Sequence, residues 1–209
     1  MSDAVLPLAH SPIRAPAPVT VVSGWEVSAL RSYAPLRLAD LSPLAKVLVR
    51  AAPDGAVAAR LGVALGSARR DEHGTLVVGS GPGEWLLLAA PGRAADVADR
   101  VDPADDRLVT VQDFTHGRAL VRLTGAAAGD ALSKLCAIDL GGRATPDGRA
   151  FRSSVAQVTT DVVRDDVDGT RSYLLHCERS SGQYLFDVLL DAGREFGIEC
   201  DGFPATSTW

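Results

Sequence analysis

Thiols are scarce in this 209-residue chain, which has only Cys136, Cys177 and Cys200, an odd number with no Cys-x-x-Cys spacing. That argues against a disulfide framework and against the closely paired ligands on which zinc and iron–sulfur sites depend, and it predicts buried free thiols in a reducing compartment. Also lacking are a run of about 18 apolar residues and a basic leader followed by a hydrophobic stretch, so neither membrane insertion nor secretion is expected, and a cytoplasmic location is. Positive charge is short as well. Lys and Arg number 21 against 26 Asp and Glu, a net charge of −5 with no basic run, which argues against binding a nucleic-acid backbone. No Gly-Lys-Ser or Gly-Lys-Thr closes a phosphate loop.

What the chain does have is a pattern that occurs twice. Asp40-Leu41-Ser42 leads through Pro43 and Leu44 into the apolar run Ala45–Arg50, and an Ala-rich stretch follows to Leu61. Asp113-Phe114-Thr115 leads through His116 and Gly117 into Arg118–Leu123, and an Ala-rich stretch follows to Leu135. An aromatic-headed strand comes after each, Trp85-Leu86-Leu87-Leu88 in one and Tyr173-Leu174-Leu175 in the other. Self-similarity in fixed order sets the number of structural units before any motif is considered. A chain of this size buries roughly 70% of its unfolded surface, enough for two halves fused around one core.

Residues 1 to 20 hold Pro7, Pro12, Pro16 and Pro18, which excludes a helix or central strand and predicts an extended arm, either laid on a partner subunit or disordered. Beyond it, alternation predicts strands at Trp25–Arg31, Leu36–Leu38 and Ala45–Arg50. A helix follows Pro53-Asp54-Gly55 and ends at Gly62, and Leu76–Val78 and Trp85–Ala90 make a strand pair before a helix at Ala94–Val101. The second half predicts strands at Arg107–Phe114 and Ala119–Thr124, a helix over Ala126–Leu135 capped by Thr124, and strands at Val155–Val163 and Ser172–Cys177. Its closing helix spans Ser181–Phe196, with Tyr184, Leu185, Val188, Leu189 and Ala192 inward. The expected fold is α+β, two β-β-α-β-β-α halves at about 25–103 and 104–200, helices on one face of a largely antiparallel sheet, within a single domain over 21–209.

The search for chemistry assigns no catalytic, cofactor-binding or metal-binding residue. Gly79-Ser80-Gly81-Pro82-Gly83 runs into a strand, where a dinucleotide loop would open a helix, and reads as a tight turn. His10, His73, His116 and His176 have no ligand spacing, and His176 and Cys177, as strand neighbours, face opposite ways. His116 near Asp113 is the one histidine placed for proton transfer, against the plainer reading of a turn residue. Asp161, Asp165, Asp166 and Asp168 cluster without the calcium-loop order and read as a solvated turn, and Ser153 and Ser154 lack a nucleophile-elbow context.

Three stretches taken together, Thr124–Leu140, the Arg179–Gly197 segment with Tyr184-Leu185 and Leu189-Leu190-Asp191-Ala192, and Gly83–Leu88, resemble the gamma subunit of heterotetrameric sarcosine oxidase over roughly residues 25 to 200. That family is related in fold to the folate-binding region of glycine-cleavage aminomethyltransferase. The resemblance implies a small, non-catalytic subunit bracing a large alpha subunit, with beta and delta subunits completing the complex. It implies demethylation of sarcosine to glycine with one-carbon transfer to tetrahydrofolate, and FAD, FMN, NAD, tetrahydrofolate and zinc held on other subunits. An oxidase for another N-methyl amine and a stand-alone folate-binding one-carbon-transfer protein are the alternatives. The aminomethyltransferases carry a folate-facing Asp in a Gly-Gly hairpin. The stretch Ala156–Asp161 lacks those glycines, so no folate residue is transferred to this chain.

Overall fold

The computed structural model describes residues 7–101, 106, 108–204 and 209. Its strands are β1 (Ala9–His10), β2 (Val19–Val22), β3 (Trp25–Ser28), β4 (Leu36–Asp40), β5 (Ala45–Arg50), β6 (Ala68–Arg70), β7 (Leu76–Gly81) and β8 (Glu84–Ala89) in the first half. The second half has β9 (Thr110–Asp113), β10 (Arg118–Gly125), β11 (Ala150–Val155), β12 (Val158–Arg164), β13 (Ser172–Glu178) and β14 (Ile198–Asp201). The helices are α1 (Ala56–Leu61), α2 (Ala94–Asp99), α3 (Ala128–Ser133) and α4 (Gly182–Gly193).

Two larger sheets form, ordered β11-β12-β13-β10-β4-β14 and β6-β7-β8-β5-β9, with a small sheet β1-β3-β2 beside them. The α+β class holds, but the single sheet expected from the sequence is two sheets packed face to face. Leu76, Val78, Leu86 and Leu88 of one meet Leu120, Val163 and Leu174 of the other in a shared layer. α3 and α4 cover the outer face of the six-stranded sheet, and α1 and α2 cover the outer face of the five-stranded one. Strands flanked on both faces alternate apolar with apolar, so Val47 and Val49 point to the α1/α2 side while Leu86 and Leu88 point inward.

The halves are interlocked. β4 belongs to the first half but pairs with β10 of the second, and β9 belongs to the second but pairs with β5 of the first. The doubled Asp-x-Ser/Thr is the corner at which each strand crosses over. Asp40 Oδ1 accepts the Ser42 N–H at 2.9 Å, and Asp113 Oδ1 accepts the Thr115 N–H at 2.8 Å. The Ser42 hydroxyl oxygen then accepts the Leu120 N–H, and that of Thr115 accepts the Lys46 N–H, both at 3.1 Å. The middle residue completes the match, with the Leu41 N–H donating to the Leu120 carbonyl and the Phe114 N–H to the Lys46 carbonyl.

Several expectations change. Three strands of the first half, β1, β2 and β6, and two of the second, β11 and β14, lie beyond those expected. The expected strand Val155–Val163 is a hairpin, β11–β12, turning at Ala156 and Gln157, both with positive φ (48° and 68°). From Pro7 onward the expected arm lies on its own chain. β1 and β2 flank β3, Ile13 is buried in the helix-side core, and Gln183 accepts the Arg14 N–H, while residues 1–6 lie outside the described residues. Arg107 and the expected boundary between halves at 103–104 also lie outside them. Thr124 bonds Ser172 and does not cap α3. In α4 the buried stripe takes Phe186 and leaves Tyr184 half-exposed, its hydroxyl donating to the Ala156 carbonyl.

Candidate functional site

The two copies can be superposed through their hydrogen bonds, and that locates where their chemistry differs. Lys46 and Leu120 make the equivalent corner bond, so β5 and β10 run in step, with Leu48 matching Arg122. Lys46 pairs across with Leu88 and Leu120 with His176, so Leu88 matches His176. Leu88 pairs in turn with Leu76 and His176 with Asp161, so Leu76 matches Asp161. At four places, Lys46/Leu120, Leu48/Arg122, Leu88/His176 and Leu76/Asp161, one copy therefore has an apolar residue and the other a charged or titratable one. A buried polar group that the fold itself can replace with leucine points to a role beyond packing.

Asp161 and His176 open onto a cleft of about 240 Å³ between the sheets, where Leu48, Phe114, Arg50, Glu84, Arg118 and Arg152 also contribute to its walls. Its charges form a chain. Arg50 Nε donates to Glu84 Oε2 at 2.9 Å, and Arg152 Nη2 reaches Glu84 Oε1 at 3.4 Å. Arg152 Nε donates to Asp161 Oδ1 at 2.6 Å, and His176 Nδ1 lies 3.4 Å from Asp161 Oδ2. Burial works against the Asp161 carboxylate, but the hydrogen bonds from His176 and Arg152 outweigh it and hold its pKa below the usual range. Burial lowers the His176 pKa despite the neighbouring carboxylate, so the imidazole is neutral, with Nδ1–H turned to Asp161. His176 Nε2 is then a buried lone pair with no partner among the described residues. The arrangement can accept one hydrogen bond from an N–H or O–H group.

A buried lysine adjoins the cleft. Lys46 is fully buried, and its Nζ donates to the carbonyls of Ser42 at 2.6 Å, Leu44 at 2.9 Å and Thr115 at 3.3 Å. Burial pushes its pKa down to about 7, against the pull of Asp40 and Asp113. The adjoining Asp40 carboxyl is pushed up by burial, which its bonds to Ser11 and Ser42 only partly offset.

Of the residues weighed in the sequence, His176 and Asp161 are in the cleft and the others fall elsewhere. His116 stacks on Trp25 with ring centroids 4.6 Å apart, and Asp113 bonds Thr115, so the two do not form a proton-transfer pair. His10 and His73 each meet a glutamate at the surface, Glu26 and Glu72. The acidic cluster is not a solvated turn. Asp161 belongs to the cleft, Asp165 is held by Arg70 and Arg122, Asp166 is held by Arg164, and only Asp168 is exposed. Cys136 and Cys177 are buried free thiols, Cys200 is partly buried, and burial pushes the Cys177 thiol up to about 11. Ser153 accepts the Cys136 S–H, and of Gly79–Gly83 the first three residues end β7, with a register shift, while Pro82 and Gly83 make the turn into β8. Among the described residues no three of His, Cys, Asp and Glu gather into a metal-sized group, and no helix is long and apolar enough to cross a membrane. The Asp161–His176 pair escaped the sequence reading because 15 positions separate its members. The signal that could have found it is the repeat, aligned residue by residue.

Residues 66–209 match the family described as the GCVT N-terminal domain. Two curated relatives are sarcosine oxidase gamma subunits of Corynebacterium sp. The strain P-1 protein is 28% identical over 172 residues, covering 78% of this chain and 83% of the relative. The strain U-96 protein is 32% identical over 146 residues, covering 68% and 69%. Among solved structures, the heterotetrameric sarcosine oxidase from Corynebacterium sp. U-96 in complex with pyrrole 2-carboxylate contains a chain 28% identical, with a TM-score of 0.68, covering 80% of this chain and 89% of that one. The glycine cleavage system aminomethyltransferase T from Bartonella henselae shares the fold at a TM-score of 0.72 and 16% identity, covering 93% of this chain and 60% of its own. The interlocked halves are thus an aminomethyltransferase-type fold, and the chain belongs to the family of sarcosine oxidase gamma subunits.

Proposed function

We propose that this chain is the gamma subunit of a heterotetrameric sarcosine oxidase, a structural partner of the large alpha subunit in a complex that demethylates sarcosine to glycine, with beta and delta subunits completing it. On this reading the one-carbon unit passes to tetrahydrofolate and electrons pass through flavin to oxygen, with FAD, FMN, NAD, tetrahydrofolate and zinc held by the other subunits. The observation that carries it is the state of the cleft. Glu84 and Asp161 are bound by Arg50 and Arg152, so the carboxylates are neutralised within the chain. The space beside them, about 240 Å³, is below the roughly 300–1,000 Å³ typical of pockets that bury a drug-sized ligand. The reading accordingly gives tetrahydrofolate to another subunit.

Co-purification from the native host tests the reading. A large flavoprotein should accompany the chain at near-equal stoichiometry, and its absence would sink the subunit assignment. The complex should turn over sarcosine, and a preference for a different N-methyl amine would retain the role while changing the substrate. One observation favours the alternative of a stand-alone folate-binding protein, the Nε2 of His176, which has no partner among the described residues. Calorimetric titration of the isolated chain with tetrahydrofolate decides between them, since saturable binding would require the cleft to open and would move the function to this chain.

A further inference from the structure

Sheet edges leave strand backbones unpaired, and the edges of this fold are not alike. Among the described residues β6 carries Arg70, β9 carries Asp113, β11 carries Arg152, β14 carries Glu199, and β1 ends on His10. β2, the remaining edge, reads Val19-Thr20-Val21-Val22 and has no ionisable residue. Charge on an edge strand discourages a foreign strand from adding to it, and a bare β-branched edge invites one. The fold guards its other edges and leaves this one open.

The ladder fixes which backbone groups face out. β2 pairs antiparallel with β3 from Val19↔Ser28 to Val22↔Trp25, across the two-residue turn Ser23-Gly24, and the Pro18 carbonyl accepts the Ala29 N–H at 2.7 Å. Hydrogen-bonded and open pairs alternate along such a ladder, so residues 20 and 22 turn their N–H and C=O groups to β3 while Val19 and Val21 turn theirs away. The same two valines have exposed side chains, at 48% and 59%. Val21 stands opposite Glu26, and both lie on the face away from Trp25 and Val27, which point into the core. Among the described residues Glu26 meets His10 at 3.5 Å and has no Lys or Arg partner. The edge therefore offers two outward backbone pairs, an apolar surface and a carboxylate that lacks a strong cation. A second copy of β2 added antiparallel would bring another Glu26 to that face and no cation, so charge favours a different chain.

We propose that β2 is a strand-addition site for the alpha subunit, whose docked segment is extended, apolar toward Val19 and Val21, and carries a Lys or Arg toward Glu26. The inference rests on the gamma-subunit reading. The test is amide hydrogen exchange of the full chain, alone and in the complex with its flavoprotein partner. The Val19 and Val21 amides should exchange freely in the isolated chain and slow at least about tenfold in the complex. Val21→Pro removes only an outward N–H, and Val21→Lys charges the edge. Each should weaken binding to the partner about tenfold, the factor for losing roughly one hydrogen bond, and leave the isolated chain's urea midpoint nearly unchanged. The wild-type exchange keeps the test open if either variant folds poorly. Unchanged exchange at Val19 and Val21 in an intact complex, or full affinity in both variants, would overturn the inference and leave the gamma-subunit reading standing. Self-association of the isolated chain that Val21→Lys abolishes would assign the edge to a second copy and overturn it too. If no flavoprotein accompanies the wild-type chain, the subunit reading fails and this inference fails with it.

Discussion

A lysine with no exposed surface is the residue whose replacement says most about this fold. Lys46 has all three ammonium protons on backbone carbonyls, yet its pKa falls from 10.5 to about 7 because burial penalises the charged form more than Asp40 and Asp113 support it. The unfolded chain therefore binds a proton at Lys46 between pH 7 and 10.5 that the folded chain has released. Stability rises across that window, by a few kcal/mol in total, and the penalty is present in full below pH 7. Lys46→Met should flatten this part of the profile. It should also destabilise the protein more at pH 9 than at pH 6, because the variant lacks the gain across that window and adds a pH-independent cost of three buried carbonyls without a donor. Urea midpoints of both proteins from pH 6 to 10 check it, and parallel profiles would show that Lys46 does not titrate. His176 acts on the acid side. Its folded pKa lies below 6.5, so stability falls as pH drops through 6.5, and substituting its repeat counterpart, His176→Leu, should lessen that loss.

At the scale of elements, the crossover corners are where sequence and structure agree most closely, and the reason is chemical. An Asp that caps its own turn, followed by a hydroxyl that accepts an N–H from the other half's strand, needs those residue types at that spacing, so the motif shows twice in the sequence. Ser42→Ala and Thr115→Val should each cost about 1–3 kcal/mol, the price of a buried N–H left without an acceptor. Denaturant unfolding checks the pair, and a negligible cost for either would remove that corner's hydroxyl from the account. The β11–β12 turn was illegible for the opposite reason. Ala156 and Gln157 both adopt positive φ without the Asn-Gly that normally announces such a turn, so the hairpin reads as one strand. Replacing them with Asn-Gly relieves that conformation and should stabilise the protein by about 1 kcal/mol. No gain would show that the Ala156 carbonyl's bond to Tyr184 already holds the turn. β6 was missed because three residues, two of them exposed, carry no period. The Asp161–His176 pair was missed because strand register alone brings it together.

For the whole molecule, the exchange of β4 and β9 decides how the halves depend on each other. A sheet made only from residues 104–209 would lose β4 from between β10 and β14, and one made only from the first half would lose β9 from the edge of β5. Each would also expose the apolar layer in which Leu86, Leu88, Leu120 and Leu174 now meet. Trp25 and Trp209 report on that layer and Trp85 on the layer beneath α1 and α2, so tryptophan fluorescence samples both. The full chain should unfold in one transition, with fluorescence and far-ultraviolet circular dichroism coincident in urea. Fragments 1–103 and 104–209 should show no cooperative transition alone and should recover one when refolded together, because each supplies the strand and the apolar face the other lacks. A fragment that unfolds cooperatively alone would show that the crossed strands join two independently stable units and are not what holds the halves together.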